Sequence, residues 1–130
     1  MKTVMISIRK RHLNNMLKGK KKWELRRTKP RLEPPFRVLC CVSGTCGSVE
    51  AAWICDKVVP LSYRDARHVA ALGYVTIEEA GEYQRRGPLF GWHVQEGTLW
   101  DWKGLGIAKH ITDYGIRTPP QSWRYVEDED

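Results

Sequence analysis

The sequence predicts an α+β fold that is mostly β, in which short strands form a small barrel or curled sheet and helices pack around it. Short β-rich runs joined by hairpin links are typical of antiparallel sheets. The helical segments are inserted without the regular strand–helix alternation that a parallel doubly wound sheet needs. The length of 130 residues and an apolar fraction of 42% predict a single domain, residues 1–130, that can bury its own core.

The first predicted elements are a strand, a helix and a second strand. Residues 3–8 form an apolar run typical of a buried strand. Residues 10–18 carry apolar side chains at helical spacing, and Gly19 is a favourable residue just beyond a helix end. Residues 22–26 alternate with a period of two, which predicts a strand with one polar face. The side chains sharing that face are Lys22, Glu24 and Arg26.

The rest of the chain is predicted to contain further strands and one pair of helices. A polar link at residues 43–48 separates two β-rich runs and predicts a hairpin. Thr76 and Glu79 form a capping-box pattern at the start of the second helix of the pair. The predicted segments are a loop at 28–35, strands at 36–42 and 49–59, helices at 63–72 and 77–86, and strands at 89–94, 98–102 and 123–126.

Positive charge is concentrated in the first third of the chain. Up to Arg37, thirteen Lys and Arg residues face two acids, a net charge of +11. From Val38 onward nine bases face thirteen acids, a net charge of −4, so the basic character of the chain lies before this point. This asymmetry favours a surface that binds a polyanion, most simply nucleic acid, with a solvated face as the alternative.

The sequence has neither a long apolar run nor the apolar stretch of a signal peptide near its start. We therefore expect a cytoplasmic protein that does not bind a membrane. The four cysteines lie within sixteen residues, and two of them are adjacent, so on a strand they would point to opposite faces. That spacing does not suit a tetrahedral metal ion, and we expect small buried thiols, no metal and no cofactor. The cysteines are Cys40, Cys41, Cys46 and Cys55.

A first candidate site lies between Gly19 and Arg26. Lysine and arginine side chains there can hold a phosphate, and a carboxylate between them can accept hydrogen bonds from the amino edge of a base. The candidate phosphate ligands are Lys20, Lys21, Lys22 and Arg26, and the carboxylate is Glu24. The alternative is an exposed ion pair of little energetic value.

A second candidate site combines residues 90–94 with residues 119–123. A glycine beside an aromatic residue allows a flat ring to approach the backbone, as a base-stacking pocket requires. The side chains singled out are Trp92, His93, Ser122 and Trp123. The alternative is that both tryptophans are core residues, which is the more common fate of tryptophan on a strand. The sequence contains no P-loop, GxGxxG, HExxH or GxSxG motif, so the reaction classes that depend on them lose support.

Together these motifs resemble the ASCH domain family. The resemblance rests on the opening MISI strand, the G-x-K-x-x-E-x-R pattern from Gly19 to Arg26, the segment GWHV at 91–94 and the ending RTPPQSWRYVE at 117–127. It extends over nearly the whole chain and is greatest to small ASCH proteins of bacteriophages and of Firmicutes that carry prophages. It implies a PUA-like fold, a β-barrel surrounded by helices, with a cleft that binds RNA or a modified nucleotide. By position Lys21, Glu24 and Arg26 line that cleft, and further wall candidates are Ser7, Trp92, His93 and Ser122.

The resemblance leaves three functions open. The first is a module that binds RNA, another single-stranded nucleic acid or a modified nucleotide, with Trp92 or Trp123 stacking on a base. The second is a hydrolase in which Lys21, its pKa lowered by neighbouring cations, and Glu24 are catalytic. The third is a phage protein that binds an unidentified host protein, in which the acidic tail at residues 127–130 takes part.

The hydrolase alternative has two forms. One branch of the ASCH family hydrolyses the amide of acetylated cytidine with a lysine, a threonine three residues later and a distant glutamate. Lys21 matches the lysine, Glu24 stands where the threonine is expected, and Glu78 or Glu79 matches the glutamate only loosely. Other members are ribonucleases with no motif that transfers to this sequence.

Overall fold

The computed structural model describes residues 1–127 and confirms the α+β, mostly β architecture. The acidic tail predicted at 127–130 lies outside the described residues beyond Glu127. The elements are β1 (Thr3–Ile8), α1 (Lys10–Leu17), β2 (Trp23–Arg26), β3 (Phe36–Val42), β4 (Ser48–Pro60), α2 (Ala66–Gly73), α3 (Ile77–Arg85), β5 (Phe90–Val94), β6 (Trp100–Asp101), β7 (Lys109–His110), a 3₁₀ helix (Ile111–Tyr114) and β8 (Trp123–Val126).

The strands form one curled sheet in the order β2-β5-β4-β3-β1-β8, with β6 and β7 paired to β4. The predicted antiparallel pairing holds throughout, except that β1 and β3 run parallel. A parallel pair needs a long crossover connection, and α1, β2 and the loop before β3 supply it. The Arg26 side chain of β2 reaches the β1–β8 side of the sheet. There it donates to the carbonyl oxygens of Ser7 and Ser122, at 2.7 and 3.1 Å. The candidate site lies at this junction.

Apolar side chains occupy both faces of the sheet. The inner cluster contains Trp53 and Trp92, which are 1% and 0% exposed, together with residues from β1, α1 and β3. On the outer face a second cluster packs beneath Ile111 and Ile116. A third cluster joins α2 and α3 to Leu61 and lies beside the candidate site.

The predicted helix and strand limits differ most from the structure at α2, β6 and β7. Helix α2 begins at Ala66 instead of residue 63, because the Asp65 side chain accepts a hydrogen bond from the backbone N–H of Arg67 at 2.8 Å and caps it there. The predicted strand at 98–102 is reduced to Trp100–Asp101, and the strand at Lys109–His110 was not predicted. The capping box of Thr76 and Glu79 at α3 is confirmed.

Three of the four cysteines are buried, as predicted, whereas the prediction is wrong for Cys46, which is exposed because it lies in the hairpin link. Cys40 packs in the inner cluster and Cys41 in the outer one, so the adjacent pair points to opposite faces of β3. Burial raises the pKa of Cys40 and of Cys55 to about 12. Residues 1–127 contain no group of three or more His, Cys, Asp or Glu side chains placed to hold a metal ion. No helix in the same range is long and apolar enough to cross a membrane.

Candidate functional site

A cleft of about 470 Å³ opens beside β2, and its walls come from α1, α3 and the segment before β8. Its volume is in the range of ordinary small-ligand pockets. It is lined by Ser7, Ile8, Arg9, His12, Lys21, Glu24, Leu25, Arg26, Arg27, Thr28, Val75, Tyr83, Leu89 and Ser122. It therefore contains five of the ten residues predicted from the sequence, namely Ser7, Lys21, Glu24, Arg26 and Ser122.

Three charged side chains form a buried network in this cleft. Lys21 is 2% exposed and Glu24 4% exposed. The Glu24 carboxylate lies 2.9 Å from Arg26 Nη2 and 3.8 Å from Lys21 Nζ. Lys21 Nζ also donates to the carbonyl oxygen of Gly73, the last residue of α2, where the helix dipole is negative. Two cations therefore face one carboxylate, and the network keeps a net positive charge.

The pKa values of Glu24 and Lys21 are both lowered, for different reasons. Burial alone would raise the pKa of Glu24, but the charges of Arg26 and Lys21 and the hydrogen bond from Arg26 outweigh burial and lower it. Burial is the main cause that lowers the pKa of Lys21, with Arg26 and Arg11 adding to it and Glu24 opposing it. The direction agrees with the one predicted for Lys21, but its causes are burial, Arg26 and Arg11 and not the adjacent lysines of the sequence prediction.

Arg26 is fixed by the two serines that were predicted as wall residues. Its Nη1 donates to the carbonyl oxygen and to Oγ of Ser122, at 3.1 and 3.3 Å, and Nη2 donates to the carbonyl oxygen of Ser7 at 2.7 Å. Ser7 Oγ in turn donates to the carbonyl oxygen of Pro120. The guanidinium is thus held in one orientation, and only its buried Nε has no hydrogen-bond partner within residues 1–127.

His12 is a cleft residue that the sequence analysis did not select. Its Nδ1 is buried and, like Arg26 Nε, has no hydrogen-bond partner in the described part of the chain. Burial lowers the pKa of His12, and the charge of Lys21 lowers it further, so the imidazole is neutral near pH 7. Unpaired buried polar atoms are rare in proteins and call for an explanation such as a binding or catalytic role.

The mouth and the remaining wall of the cleft differ in character. Arg9 and Arg27 are exposed guanidinium groups, and the contact of Arg27 Nη1 with the carbonyl oxygen of Arg86 is long, at 3.4 Å. Tyr83 of α3 supplies an aromatic ring, beside the apolar side chains of Val75 and Leu89. No local motif marks Tyr83 as a site residue, because only the packing of α3 brings it to the cleft.

Two predicted phosphate ligands and one predicted stacking residue lie outside the cleft lining. Lys20 and Lys22 are exposed to solvent on either side of the buried Lys21. Trp92 is 0% exposed and packs edge-on against Phe36 and Trp123, so the prediction that it stacks on a base is wrong for this conformation. Stacking needs an exposed ring face, so the alternative given above, that Trp92 is a core residue, is correct.

The remaining predicted residues lie elsewhere. His93 Nδ1 lies 2.6 Å from an Asp56 carboxylate oxygen, and its ring contacts that of Trp23. Trp23 and His93 are paired across β2 and β5, as are Glu24 and Trp92, so His93 faces the opposite side of the sheet from Glu24. Trp123 borders the cleft and donates from Nε1 to Thr28 Oγ1 at 2.8 Å.

The loosely matched glutamates are also outside the cleft lining. Glu79 Oε2 accepts a hydrogen bond from Arg11 Nη2 at 2.8 Å, and Glu79 belongs to the capping box of α3. Glu78 is exposed in the first turn of the same helix. Glu79 is therefore bound to Arg11 and to the start of α3, although its charge still raises the pKa of Lys21.

No protein-family model and no curated protein matches the chain. Solved structures do match it over almost its whole length. The ASCH protein from Zymomonas mobilis has a TM-score of 0.69 and 15% sequence identity, over 96% of this chain and 87% of the other. A serine-to-alanine variant of that protein has a TM-score of 0.70 and 14% identity, over 96% of this chain and 88% of the other. A tyrosine-to-phenylalanine variant has a TM-score of 0.71 and 16% identity, over 98% of this chain and 91% of the other. The chain therefore has the fold of the ASCH protein from Zymomonas mobilis.

Proposed function

We propose that this protein binds single-stranded RNA or a modified nucleotide in the cleft beside β2. The buried network of Lys21, Glu24 and Arg26 carries this proposal, because it maintains a net positive charge where solvent screening is weak. The fold shared with ASCH proteins and the basic first third of the chain support it. A cytoplasmic location, in the host if the chain is phage-encoded, is part of the same proposal.

The cations at the mouth of the cleft and those at its floor act on the ligand in different ways. The donors of Arg26 are largely committed to Ser7, Ser122 and Glu24, and Lys21 donates to the backbone. These two cations act mainly through their fixed charge. The exposed guanidinium groups of Arg9 and Arg27 are then the phosphate ligands, since arginine can donate to phosphate in a bidentate manner.

The apolar part of the cleft lining is the proposed site for a base. The ring of Tyr83 offers a stacking surface, and Val75 and Leu89 extend it with apolar contacts. The Glu24 carboxylate lines the same cleft and can accept a hydrogen bond from an exocyclic amino group. Unpaired or extruded bases suit such a cleft better than a duplex, because the sequence contains no helix patterned for groove recognition.

The salt dependence of binding tests the proposal. The affinity for a fluorescent single-stranded RNA should fall linearly with salt on a log–log plot, and each phosphate contact should contribute a slope of about −0.7. Arg9→Gln and Arg27→Gln should each make the slope shallower by about that amount. Arg67→Gln is the matched control, since Arg67 is an exposed arginine paired with Asp65 outside the cleft. Salt-independent affinity, or no binding of any nucleotide or oligonucleotide, would exclude this function.

A hydrolase acting on a modified nucleoside or on RNA is the second candidate, and the state of two cleft residues favours it. Burial lowers the pKa values of both Lys21 and His12, and proton transfer needs groups tuned in this manner. For an N-acylated nucleoside, water would add to the acyl carbon, the C–N bond would break, and the released amine would take up the proton. Lys21, Glu24 and His12 are the residues available to move that proton.

Product analysis separates the two candidates. The protein is incubated with N-acetylated cytidine and with single-stranded RNA, and the mixtures are examined by mass spectrometry. A hydrolase releases acetate or shortened RNA, and Lys21→Ala abolishes the product while the circular dichroism spectrum stays unchanged. A binding module returns every ligand intact.

A further inference from the structure

A second groove, which we call the β8 groove, borders the cleft. It is lined by Thr118, Pro119, Pro120, Gln121, Trp123, Arg124 and Tyr125. Ser122, which stands between two of these residues in the chain, lines the cleft itself. Thr28 also connects the two, since it lines the cleft and accepts the hydrogen bond from Trp123 Nε1. Ser122 and Thr28 therefore place the β8 groove beside the cleft.

Two aromatic rings form one side of this groove and are held at their polar ends. Tyr125 is 46% exposed, and its ring meets that of Trp123 edge-on with the centroids 5.1 Å apart. The Tyr125 hydroxyl accepts a hydrogen bond from the backbone N–H of Arg31 at 2.8 Å, and the indole of Trp123 is held by Thr28. Rings fixed before binding lose little entropy when a ligand stacks on them.

The charge of the groove is positive. Arg124 is exposed in its lining, and its one described hydrogen bond, from Nε to the carbonyl oxygen of Tyr125, is long at 3.3 Å. Lys29 and Arg31 are exposed on the loop that holds the aromatic rings. None of the residues that line the groove is acidic. Glu33 is exposed on the same loop, so the groove and the loop together carry three cations and one acid. Exposed aromatic faces combined with an excess of cations are the features of a single-stranded nucleic-acid surface.

We propose that the β8 groove binds the nucleotide adjacent to the one in the cleft, so that the ligand is a single-stranded nucleic acid of at least two nucleotides. The proposal rests on the proposed function, because it places the first nucleotide in the cleft. Tyr125 stacks on the second base. Arg124 projects from the opposite face of the edge strand β8 and contacts the phosphate that follows this base. A proline- and aromatic-lined groove also resembles those that bind proline-rich peptides, but its arginine and the neighbouring lysine and arginine favour a polyanion.

The test compares ligands of increasing length with matched protein variants. Fluorescence anisotropy measures the affinities of labelled tetranucleotides, as RNA and as DNA of one sequence, and competition measures that of the mononucleotide. We expect the better tetranucleotide to bind at least about tenfold more tightly than the mononucleotide, since base stacking on an aromatic ring has that order of effect. The sugar that binds more tightly identifies the natural polymer.

Variants of groove residues test whether the tighter binding of the tetranucleotide comes from the β8 groove. Tyr125→Ala should remove most of the tetranucleotide gain and leave the mononucleotide affinity unchanged, while Tyr125→Phe, which keeps the ring, should retain the gain. Arg124→Gln should make the salt dependence of tetranucleotide binding shallower by about 0.7. Arg124 is exposed, so this variant tests the groove even if Tyr125→Ala perturbs the fold.

The outcomes separate the two proposals. Equal affinity for mononucleotide and tetranucleotide, or equal losses of both in Tyr125→Ala, overturns the β8 groove and leaves nucleotide binding in the cleft intact. Failure of both ligands to bind overturns the proposed function as well. Binding of a proline-rich peptide, with no gain from the second nucleotide, would assign the groove to a protein partner instead.

Discussion

Arg26 Nη2 donates to the backbone carbonyl oxygen of Ser7 at 2.7 Å and thereby ties β2, at one edge of the curled sheet, to β1 beside the other edge. The same guanidinium lies 2.9 Å from the Glu24 carboxylate. One side chain therefore helps to close the sheet and supplies charge to the cleft. Because these roles share one group, substitutions in the cleft should alter stability as well as binding.

Removal of Arg26 should be strongly destabilising. Arg26→Gln leaves Glu24, which is only 4% exposed, without its nearest cation and loses the link to Ser7. Breaking a buried charge pair in this manner costs about 3 kcal/mol of unfolding free energy. Urea denaturation measures the loss, and Arg27→Gln, at an exposed neighbouring arginine, should stay within about 0.5 kcal/mol of the parent. Equal effects of the two substitutions would contradict a structural role for Arg26.

Glu24 should make the protein less stable in acid. Its pKa in the folded state lies below the ordinary value of 4.5, so the unfolded chain takes up the proton more readily. The corresponding stabilisation is present above that value and is lost as the pH falls through the folded pKa.

Urea denaturation at pH 7 and pH 3.5 measures this effect. Glu24→Gln should lower the unfolding free energy at pH 7, because Lys21 and Arg26 lose their counter-charge, and should lose less between the two pH values than the parent. Glu33→Gln, at an exposed glutamate, is the control and should keep the pH dependence of the parent. A Glu24→Gln variant with the pH dependence of the parent would mean that Glu24 is not stabilised as a carboxylate.

Features that depend on residues close together in the sequence could be predicted. The strand limits of β1 and β3, the capping box at Thr76 and the hairpin after Val42 follow from local periodicity and turn chemistry. The network of Lys21, Glu24 and Arg26 lies within six residues, and the resemblance to ASCH proteins singled it out.

Features that depend on distant contacts could not be predicted in this manner. Tyr83 enters the cleft because α3 packs there, and His12 becomes a cleft residue because burial and Lys21 surround it. The sequence placed Trp92 on a strand, but did not show that Phe36 and Trp123 would enclose its ring. Likewise, three successive lysines look alike in sequence, and only the fold buries the middle one against Gly73.

Lys21 should therefore matter for binding far more than its neighbours. Lys21→Met keeps most of the side-chain length and reduces the net charge of the buried network from positive to zero. We expect the affinity for single-stranded RNA to fall at least about tenfold, as for the loss of one buried charged contact. Lys20→Met and Lys22→Met, at exposed positions beside it, should change the affinity only about twofold. Equal losses in all three variants would place the ligand on the exposed lysines and not in the cleft.

Cys46 should be the one thiol that reacts rapidly in the folded protein. It is exposed, whereas burial raises the pKa of Cys41 and raises the pKa values of Cys40 and Cys55 to about 12, so these three stay protonated and shielded. Titration with a chromogenic disulfide reagent at pH 8 should show a single fast equivalent. Cys46→Ser should remove that equivalent, and guanidinium chloride should make the other three thiols accessible. A second fast equivalent in the folded protein would show that the sheet around β3 and β4 opens on the timescale of the reaction.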